Sequence, residues 1–138
     1  MAEMTQAQFE DLIKRLGMDQ KTAIALRNLS DSLQTSGTHE LTASGAVNTG
    51  TRSVELNHAT VAVVATMTPP ENGGLVVIKD TSASGTAAHT VTLSSGTFNG
   101  TNNKATLNAP NEALVVFFDS AGNGTVVENV GTVALATV

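Results

Sequence analysis

The chain has no cysteine, no tryptophan and no tyrosine; its aromatic side chains are four phenylalanines among 138 residues. Each absence excludes a chemistry. Without cysteine there is no thiolate nucleophile, no thiolate zinc site and no disulfide scaffold. Without Trp or Tyr, the amphipathic rings on which sugars stack are missing. Charge is scarce as well, at 14% of residues, against roughly 25% in an ordinary soluble domain. The formal charge is −5, so the basic footprint needed to neutralise phosphates is lacking and no nucleic-acid partner is expected. No apolar run reaches the ~18 residues of a membrane span, so no membrane partner is expected either. The opening Met1-Ala2-Glu3-Met4-Thr5 is polar and acidic, the pattern expected of a chain without a secretory leader.

What is present divides near residue 36. Lys14, Arg15, Lys21 and Arg27, four of the seven basic residues, precede that point. After it the chain turns to Thr, Val, Ala, Gly and Asn, a shift from helix formers to strand and turn formers. Residues 1–36 are expected to form an N-terminal arm of two short helices. Thr5 followed by Gln8 fits a capping box, in which each side chain serves an orphan backbone N–H of the other. Phe9, Leu12, Ile13 and Leu16 then fall on one helical face, and Gly17 is placed to end the helix. Asp19 caps a second helix, with Ala25, Leu26, Leu29 and Leu33 as its seam. Burying four such side chains stabilises by on the order of 6–12 kcal/mol before entropy is subtracted. Two destinations are open to these stripes: the chain's own body, or a partner.

Residues 37–138 read as a β body. Strands are expected at 53–57, 60–67, 74–80, 89–93, 104–107, 113–119, 125–128 and 133–138. Turn residues separate them, among them Pro69-Pro70-Glu71-Asn72-Gly73-Gly74, Asn99-Gly100 and Ala121-Gly122-Asn123-Gly124. Several short strands at this spacing indicate a sandwich or barrel. Asn123-Gly124 tolerates positive φ and marks the best hairpin. The unbroken run Val115-Val116-Phe117-Phe118 fits either a central core strand or a strand with one face in the core and the other at a subunit interface. Val115, Phe117 and Phe118 are the candidate interface residues.

No catalytic, cofactor or metal residue is assigned. His39, His58 and His89 are far apart and form no metal-spaced pair. His89, ahead of a Val-Thr-Leu strand, fits a turn hydrogen bond or a subunit contact. Ser44-Gly45, Ser84-Gly85 and Ser95-Gly96 lack the Gly-x-Ser-x-Gly elbow and read as turns. The acids of the body stand singly. Asp119, Asn123 and Glu128 lack the spacing of a calcium loop, and a hairpin is the stronger reading there. No enzyme is expected.

From Gly74 onward the chain carries Leu75-Val76-Val77-Ile78-Lys79-Asp80, His89-Thr90-Val91-Thr92-Leu93 and Gly96-Thr97-Phe98-Asn99-Gly100. Ala105-Thr106-Leu107-Asn108-Ala109-Pro110, Glu112-Ala113-Leu114 and Asp119-Ser120-Ala121-Gly122-Asn123-Gly124 follow. Over roughly residues 73–130 this resembles the β-sandwich modules of tailed-phage virion proteins, including capsid decoration (cement) proteins. The tryptophan frequent in the hairpin of that family is absent, and Gly124-Thr125-Val126 takes its place. The resemblance implies a homotrimer on the outer surface of a virion shell, made in the host cytoplasm, with the major capsid protein as partner. The expected fold class is mainly β: an antiparallel, jelly-roll-like β-sandwich with a short N-terminal helical arm. The arm residues Phe9, Leu12, Ile13, Leu16, Leu26, Leu29 and Leu33 are the expected contacts with the shell. The alternative is a trimeric head-fibre or tail-fibre module that binds a host surface receptor.

Overall fold

The computed structural model describes residues 37–83 and 87–138, with Thr5, Ala7, Gln8 and Asp11 of the leading segment. The chain divides into two units, Met1–Ser36 and Gly37–Val138. In the first, the capping box at Thr5 and Gln8 is formed. The Thr5 N–H donates to Gln8 Oε1 at 3.0 Å and the Gln8 N–H to Thr5 Oγ1 at 3.2 Å. The extent of the two expected helices lies outside the described residues, as do Phe9, Leu12, Ile13, Leu16, Leu26, Leu29 and Leu33.

The described residues of the second unit form ten strands. They are β1 (Thr38–Leu41), β2 (Gly45–Ala46), β3 (Ser53–Leu56), β4 (Val64–Met67) and β5 (Gly74–Asp80). Next come β6 (His89–Leu93), β7 (Lys104–Leu107), β8 (Ala113–Phe118), β9 (Gly124–Val130) and β10 (Ala134–Ala136). Alternation drives them: in β5, Val76, Ile78 and Asp80 are buried while Leu75, Val77 and Lys79 face outward. Such period-two sequences commit one face to the core.

The strands form two five-stranded sheets. Sheet A has the order β1-β3-β5-β8-β9 and sheet B the order β10-β7-β6-β4-β2. From β1 to β6 the chain changes sheet at every strand, so neighbours within a sheet are two apart in sequence and run parallel. The chain thus winds as a short coil. From β7 onward it reverses, and all later pairings are antiparallel.

This corrects the expected antiparallel, jelly-roll-like arrangement, since both sheets are mixed. The physical reason lies in the connections. The stretches after β2, β3 and β4 carry turn residues but cross between sheets instead of folding a strand back on its neighbour. Turn chemistry marks where a strand stops and says nothing of which sheet receives the next one. The sequence neighbours β6 and β7, and β8 and β9, do pair antiparallel; in the β8–β9 turn, Asp119–Asn123, the residue with positive φ is Gly122 (+85°) and not the expected Asn123 or Gly124.

Inward residues of both sheets join in one apolar cluster. Val54, Leu56, Val76, Ile78, Leu114, Val116 and Phe118 come from sheet A, and Ala65, Met67, Val91, Leu93, Ala105 and Leu107 from sheet B. Phe98, from the loop between β6 and β7, plugs one end and meets the Phe118 ring at a centroid distance of 6.3 Å. That loop is tied to the β8–β9 hairpin: the Thr97 N–H donates to the Gly122 carbonyl and the Gly124 N–H to the Thr97 carbonyl, at 3.3 and 2.7 Å. Among the described residues, no helix is long and apolar enough to cross a membrane.

Candidate functional site

The outward side of sheet A carries several exposed apolar side chains. Its ladder aligns Leu75 with Phe117 and Phe117 with Thr125; the next row aligns Val77 with Val115 and Val115 with Glu128. Leu75 is 53% exposed, Phe117 51% and Val127 61%. Val127 stands at a β-bulge, the extra residue between the Val126 and Glu128 pairings. Val130, at the end of the edge strand β9, is exposed too. Leu75, Phe117 and Val127 lie outside the core cluster.

The two readings of the Val115–Phe118 run now separate by face. Val116 and Phe118 point into the core; Val115 and Phe117 point out. Phe118 is fully buried, so it is withdrawn from the candidate interface. Leu75 and Val127 belong to that surface and were not expected there. For Leu75 a signal existed. Leu75-Val76-Val77-Ile78 is apolar at both parities, the same feature that drew attention to Val115–Phe118. Val127 carried none, because its exposure depends on the bulge.

The outward side of sheet B is different. One row runs Val64, Thr90, Thr106, Ala134 and the next Thr66, Thr92, Lys104, Ala136. Threonine and alanine dominate it. Val64 is exposed there with hydroxyl side chains beside it, so no apolar block forms.

Each of the three histidines spends its Nδ1 on a backbone N–H. His39 accepts from Asn48 at 2.9 Å, His58 from Val61 at 2.9 Å and His89 from Val63 at 3.0 Å. His89 is fully buried at the start of β6, inside the fold instead of in an exposed turn. Its Nε2 lies 3.8 Å from Asp80 Oδ1, beyond hydrogen-bonding distance. That Asp80 oxygen takes the Ser82 N–H at 2.8 Å and the Ser82 hydroxyl at 2.6 Å. A neutral imidazole whose Nδ1 accepts carries its proton on Nε2, the wrong form for a metal ligand at that atom. Among the described residues, no group of three or more His, Asp or Glu side chains is placed to hold a metal ion.

Glu112 is the best-connected acid. It is 3% exposed. Its Oε2 accepts from the N–H groups of Asn108 and Ala109, at 2.7 and 3.2 Å, and its Oε1 from the Thr132 N–H and hydroxyl, at 2.8 and 2.7 Å. It therefore pins the β7–β8 turn to the β9–β10 connection. Burial, the largest single influence, pushes its carboxyl up. The Thr132 hydroxyl and the N–H groups of Asn108, Thr132 and Ala109 act the other way and together hold it below its ordinary 4.5. A lowered folded-state value means that the ionised carboxylate stabilises the fold above the ordinary carboxylate range. That contribution is lost as pH falls through the folded value. Glu112→Gln keeps the volume but turns an NH₂ group toward N–H donors. It is expected to cost about 1–3 kcal/mol at neutral pH, measured by urea unfolding. The gap to the wild type should narrow below pH 4.5, the ordinary value of the carboxyl.

Asp119, which opens the β8–β9 turn, uses one oxygen to accept from the N–H groups of Ala121 and Asn123, both at 2.9 Å. The Asn123 N–H bond is the main reason its carboxyl sits below the ordinary value. The carboxylate is thus occupied in shaping the hairpin. Neither a protein-family model nor a curated protein matches the chain.

Proposed function

We propose that the chain is a structural virion protein, a capsid decoration protein that binds the outer surface of a tailed-phage head as a homotrimer and stabilises it. The observation that carries this reading is the apolar outer face of sheet A around Leu75 and Phe117, left open by a body whose core is already closed. A small protein with few charges exposes such a face at the risk of aggregation unless a partner covers it. The strand and turn residues of 73–130, similar to those of phage virion modules, supply the class of assembly.

On this reading the two sheets form a sandwich whose A face meets other copies. Residues 1–36 supply a second contact, in which Phe9, Leu12, Ile13, Leu16, Leu26, Leu29 and Leu33 meet the major capsid protein. Several weak contacts linked in one trimer raise avidity through effective concentration.

The test is head stability. Tailed-phage heads assembled without this chain should release DNA at a higher temperature once the purified chain is added. Phe9→Ala combined with Leu12→Ala should abolish that protection while leaving the unfolding of the body unchanged. Heads that release DNA at the same temperature with and without the wild-type chain would remove the reading.

A further inference from the structure

Three Asn-Gly pairs lie in loops of the body: Asn72-Gly73, Asn99-Gly100 and Asn123-Gly124. Asparagine followed by glycine is prone to deamidation, because no side chain shields the following main-chain nitrogen from the amide carbon. The reaction needs that nitrogen as nucleophile and an amide side chain free to swing onto it. The nitrogen is engaged alike in all three pairs. The Gly73 N–H donates to the Pro70 carbonyl at 3.0 Å, the Gly100 N–H to Thr97 Oγ1 at 3.0 Å and the Gly124 N–H to the Thr97 carbonyl at 2.7 Å. The asparagines differ. Asn99 Oδ1 accepts from the N–H groups of Asn102 and Thr101, at 2.9 and 3.4 Å. Asn123 is held by Asp119, through its N–H at 2.9 Å and its Nδ2 at 3.5 Å. The Asn72 side chain is exposed and has no hydrogen-bond partner among the described residues.

We propose that Asn72 is the deamidation site of the folded body, and that its conversion loosens the turn into β5. The Gly73 nitrogen gives its proton to solvent base and bonds to Asn72 Cγ. The bond from Cγ to Nδ2 breaks, ammonia leaves, and a five-membered succinimide remains. Water then opens the ring at either carbonyl, giving aspartate or isoaspartate, with no change of oxidation state. In isoaspartate the main chain runs through the side-chain carbons and is longer by one methylene. The turn has little room for it. Gly73 is buried, and a Cβ added to it would overlap the Phe118 carbonyl oxygen on β8. The Gly73 carbonyl accepts from Arg52 Nη1 at 2.9 Å. The extra methylene enters next to that anchored residue, so either the Pro70–Gly73 turn bond or the Arg52 contact gives way.

The experiment ages the full folded chain in warm, mildly alkaline buffer and follows the amide-to-acid mass gain by tryptic mass spectrometry. Cleavage after Arg52, Lys79 and Lys104 places the three pairs in separate peptides, 53–79, 80–104 and 105–138. Peptide 53–79 is expected to convert faster than the other two by about tenfold, the rate equivalent of the extra hydrogen bonds that hold Asn99 and Asn123. In urea the three should convert at similar rates, because the fold and not the dipeptide makes the choice. Asn72→Gln should abolish the gain in 53–79. Equal native rates, or a gain that survives Asn72→Gln, would overturn the site. Conversion adds one negative charge to the formal −5, so anion exchange separates the aged fraction. That fraction is expected to unfold at a lower urea midpoint. A midpoint equal to that of the fresh chain would overturn the loosening of the turn.

Discussion

Phe118→Ala is expected to destabilise the body by about 3–5 kcal/mol, and Phe117→Ala by no more than about 0.5 kcal/mol. The two residues are adjacent in sequence and identical in chemistry, and only the pleat separates them. Phe118 is fully buried on the inner face of sheet A, beside Phe98. Truncating it removes the transfer free energy of a ring and leaves a cavity that the neighbouring strands fill only in part. Phe117 is half exposed, so its loss removes little from the fold of one copy. It does remove the largest side chain of the outer face. Urea unfolding gives the stability of each variant, and sedimentation gives its association. The expected pattern is a crossed one, with Phe118→Ala unstable and Phe117→Ala stable but impaired in self-association. Equal losses of stability would mean that the strand does not divide its faces as described.

Gly96→Ala is expected to cost about 3–4 kcal/mol, from two terms of similar size. Gly96 has φ +74°, where a Cβ is strained in its own right. A Cβ at this position would also overlap the carbonyl oxygen of Gly122 in the β8–β9 hairpin. That oxygen belongs to backbone held by the Thr97 and Gly124 bonds, so it has no rotamer through which to escape. Gly100 is the control. It too has positive φ, at +84°, but nothing lies within 4 Å of its would-be Cβ. Gly100→Ala therefore isolates the backbone cost, about 1 kcal/mol. The difference in urea midpoint between the two variants measures the close approach itself. Equal midpoints would show that the loop after β6 is not clamped to the hairpin.

Much of the strand inventory was legible because the pattern is local. Strands 74–80, 89–93 and 104–107 match β5, β6 and β7 at both ends, since each alternates cleanly and is bounded by turn residues. The first two strands were not legible. In β1 only Leu41 is buried, and β2 is two exposed residues, Gly45 and Ala46. These short edge strands exist because β3 and β4 offer ladders beside them, a cause that no window of sequence contains. Residues 60–63 erred the other way. Their apolar content suggested strand, but Val61 is exposed in a bend and β4 begins only at Val64.

Topology was the least legible feature. Whether the chain hairpins or crosses to the opposite sheet depends on long-range packing, and the Pro69-Pro70 turn looks the same in either case. The candidate interface was half legible. An apolar run at both parities announces two buried faces, and Val115 and Phe117 followed from it. Which parity faces the core is decided by register, and Phe118 falls on the inner side with Leu114 and Val116, which are aligned with the buried Ile78 and Val76. The roles of Glu112 and His89 were not legible, because their partners lie 20 and 26 residues away in sequence, at Thr132 and Val63.

Counting bound copies tests the central claim, a trimeric cover on an assembled shell, most directly. The purified full chain is titrated onto tailed-phage heads assembled without it, and the saturating copy number is read by cosedimentation. The expected result is saturable binding at a whole multiple of three copies per symmetry-related site. A chain that stays in the supernatant at concentrations where it has already associated with itself would contradict that claim.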